Sequence, residues 1–192
     1  MLFIQSFISV ALLLVSFFHS PVNEKIAGEE DYIDWQEGRR LNWEDFEAPV
    51  NRESDAAALT STYLGFQYRV KNNVFTYNIA CRFAKKRSWG LIKNDWILNH
   101  EQGHFDISEL FARYLHQAII EYPLNLKYLK RDLDNIYQEH MELKEEFQNL
   151  YDTETDYSRN KDKQREWTQK INDLLMEMED YADYRDPQPK KN

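Results

Sequence analysis

Apolar and polar residues alternate with a period of two between residues 56 and 83, a pattern typical of half-buried β-strands. Apolar side chains occupy every second position in 64–70 and again in 75–83. The segment Lys71, Asn72 and Asn73 separates the two runs. Asparagine tolerates the left-handed backbone of a tight turn. The pattern therefore predicts a β-hairpin.

After Gly90 the apolar spacing changes to alternating steps of three and four, which indicates amphipathic α-helices. The first helix is expected to begin near Asn94 or Asp95, both good N-caps, and to end before Pro123. A second helix is expected over about 125–150 and a third over about 161–184. The expected buried stripe of the first helix is His100, His104, Ile107, Phe111, Tyr114 and Ala118.

These elements predict an α+β fold, with a small antiparallel sheet packed on the first helix and a C-terminal two-helix extension. Residues 21–186 are expected to form one domain, with the sheet in 40–90 and the helices in 91–186. A chain of this length can bury one core, and a second full domain is not expected. The tail 187–192 is expected to be flexible.

The first 18 residues contain 14 apolar and four polar side chains, and the first charged residue is Glu24. This length and polarity are typical of a signal peptide, expected over 1–20, or of a short uncleaved membrane anchor. The sequence thus predicts a secreted or periplasmic protein. The alternative is a protein anchored in the membrane and facing outward.

The net charge and the cysteine content restrict the partners and the metal ligands that this protein can have. The chain has 24 Lys and Arg against 33 Asp and Glu, a net charge of -9, which disfavours nucleic acid as a partner. Cys81 is the single cysteine, so neither an intramolecular disulfide nor a cysteine-based zinc site can form. Any metal must be held by histidine and carboxylate.

His100 and His104 stand four residues apart in an HExxH sequence within the first predicted helix. Residues at this spacing share one helix face, so both imidazoles can bind one Zn²⁺. Glu101 is offset by about 100° around the helix, where it can act as general base towards an attacking water. The pattern favours a zinc metallopeptidase that hydrolyses peptide or protein substrates.

A different interpretation stays open at this point. Two histidines on a buried helix face can be structural, with their nitrogens satisfied by neighbouring polar groups. The protein would then be a non-catalytic exported binding or assembly protein, and its apolar helix faces would contact a partner. Metal content separates the two interpretations.

The chain resembles a bacterial family named as domain of unknown function 922, described as predicted secreted zinc-dependent proteases. The resemblance is carried by the run His100 to Ile107 with Glu109, Leu110, Ala112 and Arg113, by 41–46, 56–60, Ser88 and Trp89, and by 151–155, Gln164 and Trp167. It implies an exported zinc protease with a single zincin-like domain.

The third protein ligand cannot come easily from the same helix, because Asp106 and Glu109 point away from the two-histidine face. Candidates elsewhere are Asp152, Glu154, Asp156, Tyr157 and His140. Asp152 is the favoured ligand, since a carboxylate binds Zn²⁺ better than a phenol and this residue is expected in a loop between two helices. The family commonly has histidine where this chain has Tyr157. The phenol of Tyr157 is expected near the open coordination position, as a donor to the oxyanion.

Overall fold

The structure, a computed structural model, describes residues 31–186 and 188–190. These residues form an antiparallel sheet and three α-helices, which confirms the predicted α+β class. The segment expected to direct export, residues 1–20, lies outside the described residues. Among the helices that the structure describes, none has the length and apolar character needed to cross a membrane.

The predicted hairpin is present, and it forms the centre of the sheet. Strands β3 (Thr62–Lys71) and β4 (Val74–Ala84) pair in antiparallel register from Thr62 opposite Phe83 to Lys71 opposite Val74. Asn72 and Asn73 have φ values of 51° and 59°, the left-handed conformation that the tight turn requires. Alternate residues of β4 face the core and are buried, in the order Phe75, Tyr77, Ile79, Cys81 and Phe83.

Four further short strands lie in the described part of the chain. Strand β1 (Tyr32–Asp34) pairs with β4 on the side opposite β3, while β2 (Ala58–Leu59) and β5 (Trp89–Gly90) form a separate two-stranded sheet. The sheet thus extends before residue 40, where it was expected to begin. Strand β6 (Gln188–Lys190) also pairs with β4, so this part of the tail expected to be flexible is hydrogen-bonded.

Helix α1 (Asp95–Glu121) lies at the centre of the molecule. Its N-cap is Asn94, whose side chain accepts a hydrogen bond from the Ile97 N–H (2.9 Å), as the sequence predicts. The sheet covers one side of α1 and the other two helices cover the rest. The expectation of one buried stripe is therefore wrong, because nearly every residue between His100 and His116 is buried.

The two remaining helices differ from the expected bounds. Helix α2 spans Leu129–Thr155 rather than about 125–150. It begins later because Asn125 first forms a turn, accepting from the N–H groups of Lys127 (3.1 Å, side chain) and Tyr128 (3.1 Å, carbonyl). Helix α3 spans Lys161–Glu177 and is followed by a 3₁₀ turn at Glu179–Tyr181, so it ends before residue 184.

Candidate metal centre

His100, His104 and Asp152 converge on one point between α1 and α2. His100 Nε2 lies 3.1 Å from Asp152 Oδ1, His104 Nε2 lies 3.0 Å from the same oxygen, and the two Nε2 atoms are 3.3 Å apart. The expected grouping of these three residues is therefore present in the structure, and each offers one ligand atom.

The spacing of these three atoms fits a small tetrahedral ion. Two ligands bound to Zn²⁺ at about 2.0–2.1 Å in tetrahedral geometry lie about 3.3 Å apart. The observed separations of 3.0, 3.1 and 3.3 Å are close to that edge length. Larger ions such as Ca²⁺ prefer six to eight oxygen ligands, which this set does not provide.

Two glutamines, the buried Gln164 and the half-buried Gln148, determine which ring nitrogen of each histidine carries the proton. The Gln148 amide nitrogen donates to the His104 carbonyl (2.9 Å), so its amide oxygen accepts from His104 Nδ1. The Gln164 amide nitrogen donates to the Tyr151 hydroxyl (2.5 Å), and its oxygen accepts from His100 Nδ1 (2.8 Å). Because each Nδ1 carries a proton, each neutral ring keeps its Nε2 lone pair for the convergence point.

This arrangement concentrates electron density where the three ligand atoms meet. Two imidazole lone pairs and one carboxylate oxygen repel one another unless a cation lies among them. The pKa shifts of Asp152 and His104 also show that a positive charge is favoured at this point. Burial raises the pKa of Asp152, but its attraction to His100 and His104 when these rings carry a proton outweighs burial and holds that pKa well below its ordinary value. Burial lowers the pKa of His104, yet Asp152 raises it above its ordinary value.

Tyr151 is the main support under the two rings. It is fully buried, its ring stacks on the His100 imidazole with centroids 4.6 Å apart, and its hydroxyl donates to the His100 carbonyl (3.1 Å). Gly103 makes this approach possible, since a Cβ there would come within 2.8 Å of the Tyr151 Cζ. The second helix is thereby held close against the first at the level of the histidines.

Glu101 lies beside this group with unused hydrogen-bonding capacity. Its side chain is buried, and its Oε2 has no hydrogen-bond partner among the described residues. A buried carboxylate oxygen without a partner is costly and marks a place where a donor is missing. The negative charge of Glu101 also helps to raise the pKa of His104.

Asp152 reaches the histidines from a helix, not from a loop as the sequence suggested. It lies in the last turn of α2, which continues to Thr155 and ends at Asp156 in the left-handed conformation. Gln148 stands one turn earlier on the same helix, so α2 supplies both the carboxylate and one of the amides. Each is therefore held by regular backbone.

The other candidate ligands are engaged elsewhere. Glu154 accepts from the Trp167 indole N–H (2.8 Å), Asp156 pairs with Arg159 (2.7 Å), and His140 Nδ1 lies 2.7 Å from the Ile136 carbonyl. Asp106 and Glu109 lie on other sides of α1, as expected.

Tyr157 is on the surface beyond the end of α2. It is 60% exposed, and its ring lies under the Arg159 guanidinium, 5.7 Å from the ring centroid. Its backbone N–H donates to the Asp152 carbonyl (2.9 Å), and its φ of 51° is unusual for a residue with a bulky side chain. The described contacts do not bring its phenol to the histidines.

Sequence reasoning assigned no role to Gln148 and did not recognise what Gln164 does. Gln164 occupies a position in the apolar stripe of α3 where a polar residue is unexpected, which is the signal that could have identified it. The signal for Gln148 was weaker, because it consists only of its position four residues before Asp152 on the same helix.

Comparisons with protein-family models, with curated proteins and with solved structures find no match.

Proposed function

We propose that this protein is an exported zinc-dependent peptidase, with His100, His104 and Asp152 as the metal ligands and Glu101 as the general base. The observation that carries the proposal is the triangle of ligand atoms, 3.0–3.3 Å on a side, with both imidazole lone pairs directed inward. Two imidazoles and one carboxylate form a common ligand set of catalytic zinc and leave one position open.

Each side chain has a task that its surroundings support. Zinc, when bound, polarises a carbonyl and makes water acidic enough to react near neutral pH. Gln148 and Gln164 keep His104 and His100 neutral at Nε2 and hold their rings in place. Glu101 takes a proton from the attacking water on its unpartnered Oε2 and delivers it to the leaving amine.

A peptide is the substrate class that the neighbouring backbone suits. The Thr60 hydroxyl donates to the Glu101 carbonyl (3.3 Å), so the end of strand β2 lies beside the general base. Extended peptides bind to strand edges by main-chain hydrogen bonds, and among the described strands β2 pairs only with β5. Strand β3 is the outer strand of the main sheet, whereas β4 is central and both of its edges are occupied, so β4 cannot bind a peptide in this way.

The decisive experiment separates metal binding from proton transfer. Glu101→Gln should retain about one equivalent of zinc and lose hydrolysis of a fluorogenic peptide library, because the amide cannot accept the proton. Glu139→Gln, an exposed glutamate of α2, is the matched control and should behave as the native protein. Activity retained by Glu101→Gln would contradict the role of Glu101, and a native protein without zinc after reconstitution would leave the non-catalytic binding protein as the better description.

The ligand assignment has its own test. Asp152→Ala should lower zinc affinity strongly, because it removes the one charged ligand, while Tyr157→Phe should leave it nearly unchanged. The reverse order would show that Tyr157 is the third ligand. Zinc affinity measured by chelator competition decides between them.

A further inference from the structure

A second polar site lies on the face of α1 that points away from the histidines. At 100° per residue, Gln102, Asp106 and Arg113 share a face roughly opposite that of His100 and His104. Together with α3, the segment after β1 and the turn at Glu179–Tyr181, this face encloses an open pocket of 430 Å³. The proposed peptidase mechanism uses none of its side chains.

The floor of this pocket is made of polar side chains that are more than nine-tenths buried. Asp106 Oδ1 accepts from the Trp35 indole N–H (2.8 Å) and from the Gln102 amide nitrogen (2.7 Å), and the Gln102 oxygen in turn accepts from the Leu41 N–H (2.7 Å). Asp106 Oδ2 accepts no hydrogen bond from any residue that the structure describes. The carboxylate is thus fixed through one oxygen and free at the other.

Arg113 is held in the same manner. Its Nε donates to Glu109 (3.0 Å), its Nη1 donates to the Leu175 carbonyl (2.7 Å), and its guanidinium lies over the Trp35 ring at 5.3 Å. Within the described part of the chain, Nη2 has no hydrogen-bond partner. Glu109 also accepts from the Tyr184 hydroxyl and lies 3.6 Å from Arg185, so two arginines share this one carboxylate and the group keeps a net positive charge.

Asp106 and Arg113 therefore present one negative and one positive group to the same cavity without pairing with each other. They are seven residues apart on α1, and the arginine side chain leans back towards the N-terminus, which brings the charges to within about two helical turns. The charges at the rim of the pocket cancel, because it carries two glutamates, Glu37 and Glu179, and two arginines, Arg39 and Arg40.

We propose that this pocket binds a small zwitterion of the size of an amino acid or dipeptide, with its ammonium group at Asp106 and its carboxylate at Arg113. An ammonium group would donate to Asp106 Oδ2, which accepts no hydrogen bond from the described residues, and Arg113 Nη2 would donate a charge-assisted hydrogen bond to a carboxylate. Trp35 and Leu175 provide the apolar wall for a short side chain. The site does not depend on the proposed function.

Calorimetric titration of the purified protein with glycylleucine tests this inference. The Asp152→Ala protein should bind as tightly as the native one, because it alters only the metal centre, and it also prevents turnover of the probe. Asp106→Asn should weaken binding by about tenfold to a hundredfold, since asparagine still accepts from Trp35 and Gln102 but carries no charge. Asp173→Asn, an exposed neighbour on α3 outside the pocket, is the matched control and should bind normally.

Modified probes test the two ends of the ligand without changing the protein. N-acetyl-glycylleucine and glycylleucine amide should each bind at least about tenfold more weakly, because each lacks one of the two charges. Equal binding of either modified probe would overturn the zwitterion assignment. No saturable binding of glycylleucine, or binding lost in Asp152→Ala but kept in Asp106→Asn, would overturn the site.

Discussion

Replacing Gln164 with leucine tests whether the glutamines prepare the histidines for metal. Gln164 is 2% exposed, and it links three groups in a closed ring: its oxygen accepts from His100 Nδ1, its nitrogen donates to the Tyr151 hydroxyl, and that hydroxyl donates to the His100 carbonyl. Leucine has a similar volume, so the substitution removes both hydrogen bonds of the Gln164 side-chain amide with little change in packing.

The expected effect on metal binding follows from the proton on His100. Without an acceptor at Nδ1, the buried N–H would cost about 1–3 kcal/mol, and the proton avoids this cost by moving to Nε2. Asp152 Oδ1 lies only 3.1 Å from Nε2 and accepts the bond there. The lone pair is then no longer available to a metal. Zinc affinity should fall by about tenfold to a hundredfold, the usual effect of losing a residue that orients a ligand.

Two measurements check this reasoning. Chelator competition gives the zinc affinity, and nitrogen NMR of the imidazoles in the metal-free protein shows which ring nitrogen carries the proton. Gln169→Leu, the same change at an exposed position of α3, should alter neither. Native zinc affinity in Gln164→Leu, or an unchanged His100 tautomer, would refute the reasoning.

Three further predictions concern stability and processing. Zinc at a hundredfold excess over its Kd should stabilise the protein by about 2.7 kcal/mol and raise its Tm by about 5 to 10 °C, a gain that a chelator should reverse in differential scanning calorimetry. Gly103→Ala should lower both stability and zinc affinity, because its Cβ would collide with the Tyr151 ring, whereas Gly38→Ala, with no atom within 4 Å of its Cβ, should lower neither. Export directed by residues 1–20 should yield extracytoplasmic protein in cell fractionation and a processed N-terminus in terminal sequencing, and cytoplasmic protein that retains Met1 would contradict it.

Local signals were sufficient for the hairpin and for the start of α1. The hairpin follows from the period-two pattern of β3 and β4 and from the two asparagines at the turn between them. The start of α1 follows from the Asn94 side chain, which accepts from an N–H group three residues later. Each of these signals acts within a few residues. The pairing of His100 with His104 is equally local, since it follows from helical spacing alone.

Long-range contacts decide the features that sequence reasoning missed. Helix α2 continues past Leu150 because Tyr151 and Thr155 are buried against α1 and α3. The sequence around residue 150 contains no pattern that predicts those contacts. Conversely, Leu143 and Leu150 fit the apolar three-and-four spacing of α2 but are 45% and 43% exposed, and they line an open groove between α1 and α2. Apolar spacing identifies a helix face, whereas the position of the partner helix determines which part of it is covered.

The composition of α1 argues that its polar residues are retained for function rather than for packing. A helix surrounded on all sides is stabilised most by apolar residues, because every buried polar group must find a partner. Yet the central turns of α1 bury histidine, glutamate, glutamine, aspartate and arginine side chains. Most of these polar atoms are satisfied, and the exceptions at the metal centre are informative: Glu101 Oε2 has no described donor, and the His100 and His104 lone pairs face a carboxylate. Those atoms are the ones that a metal ion and an attacking water would satisfy.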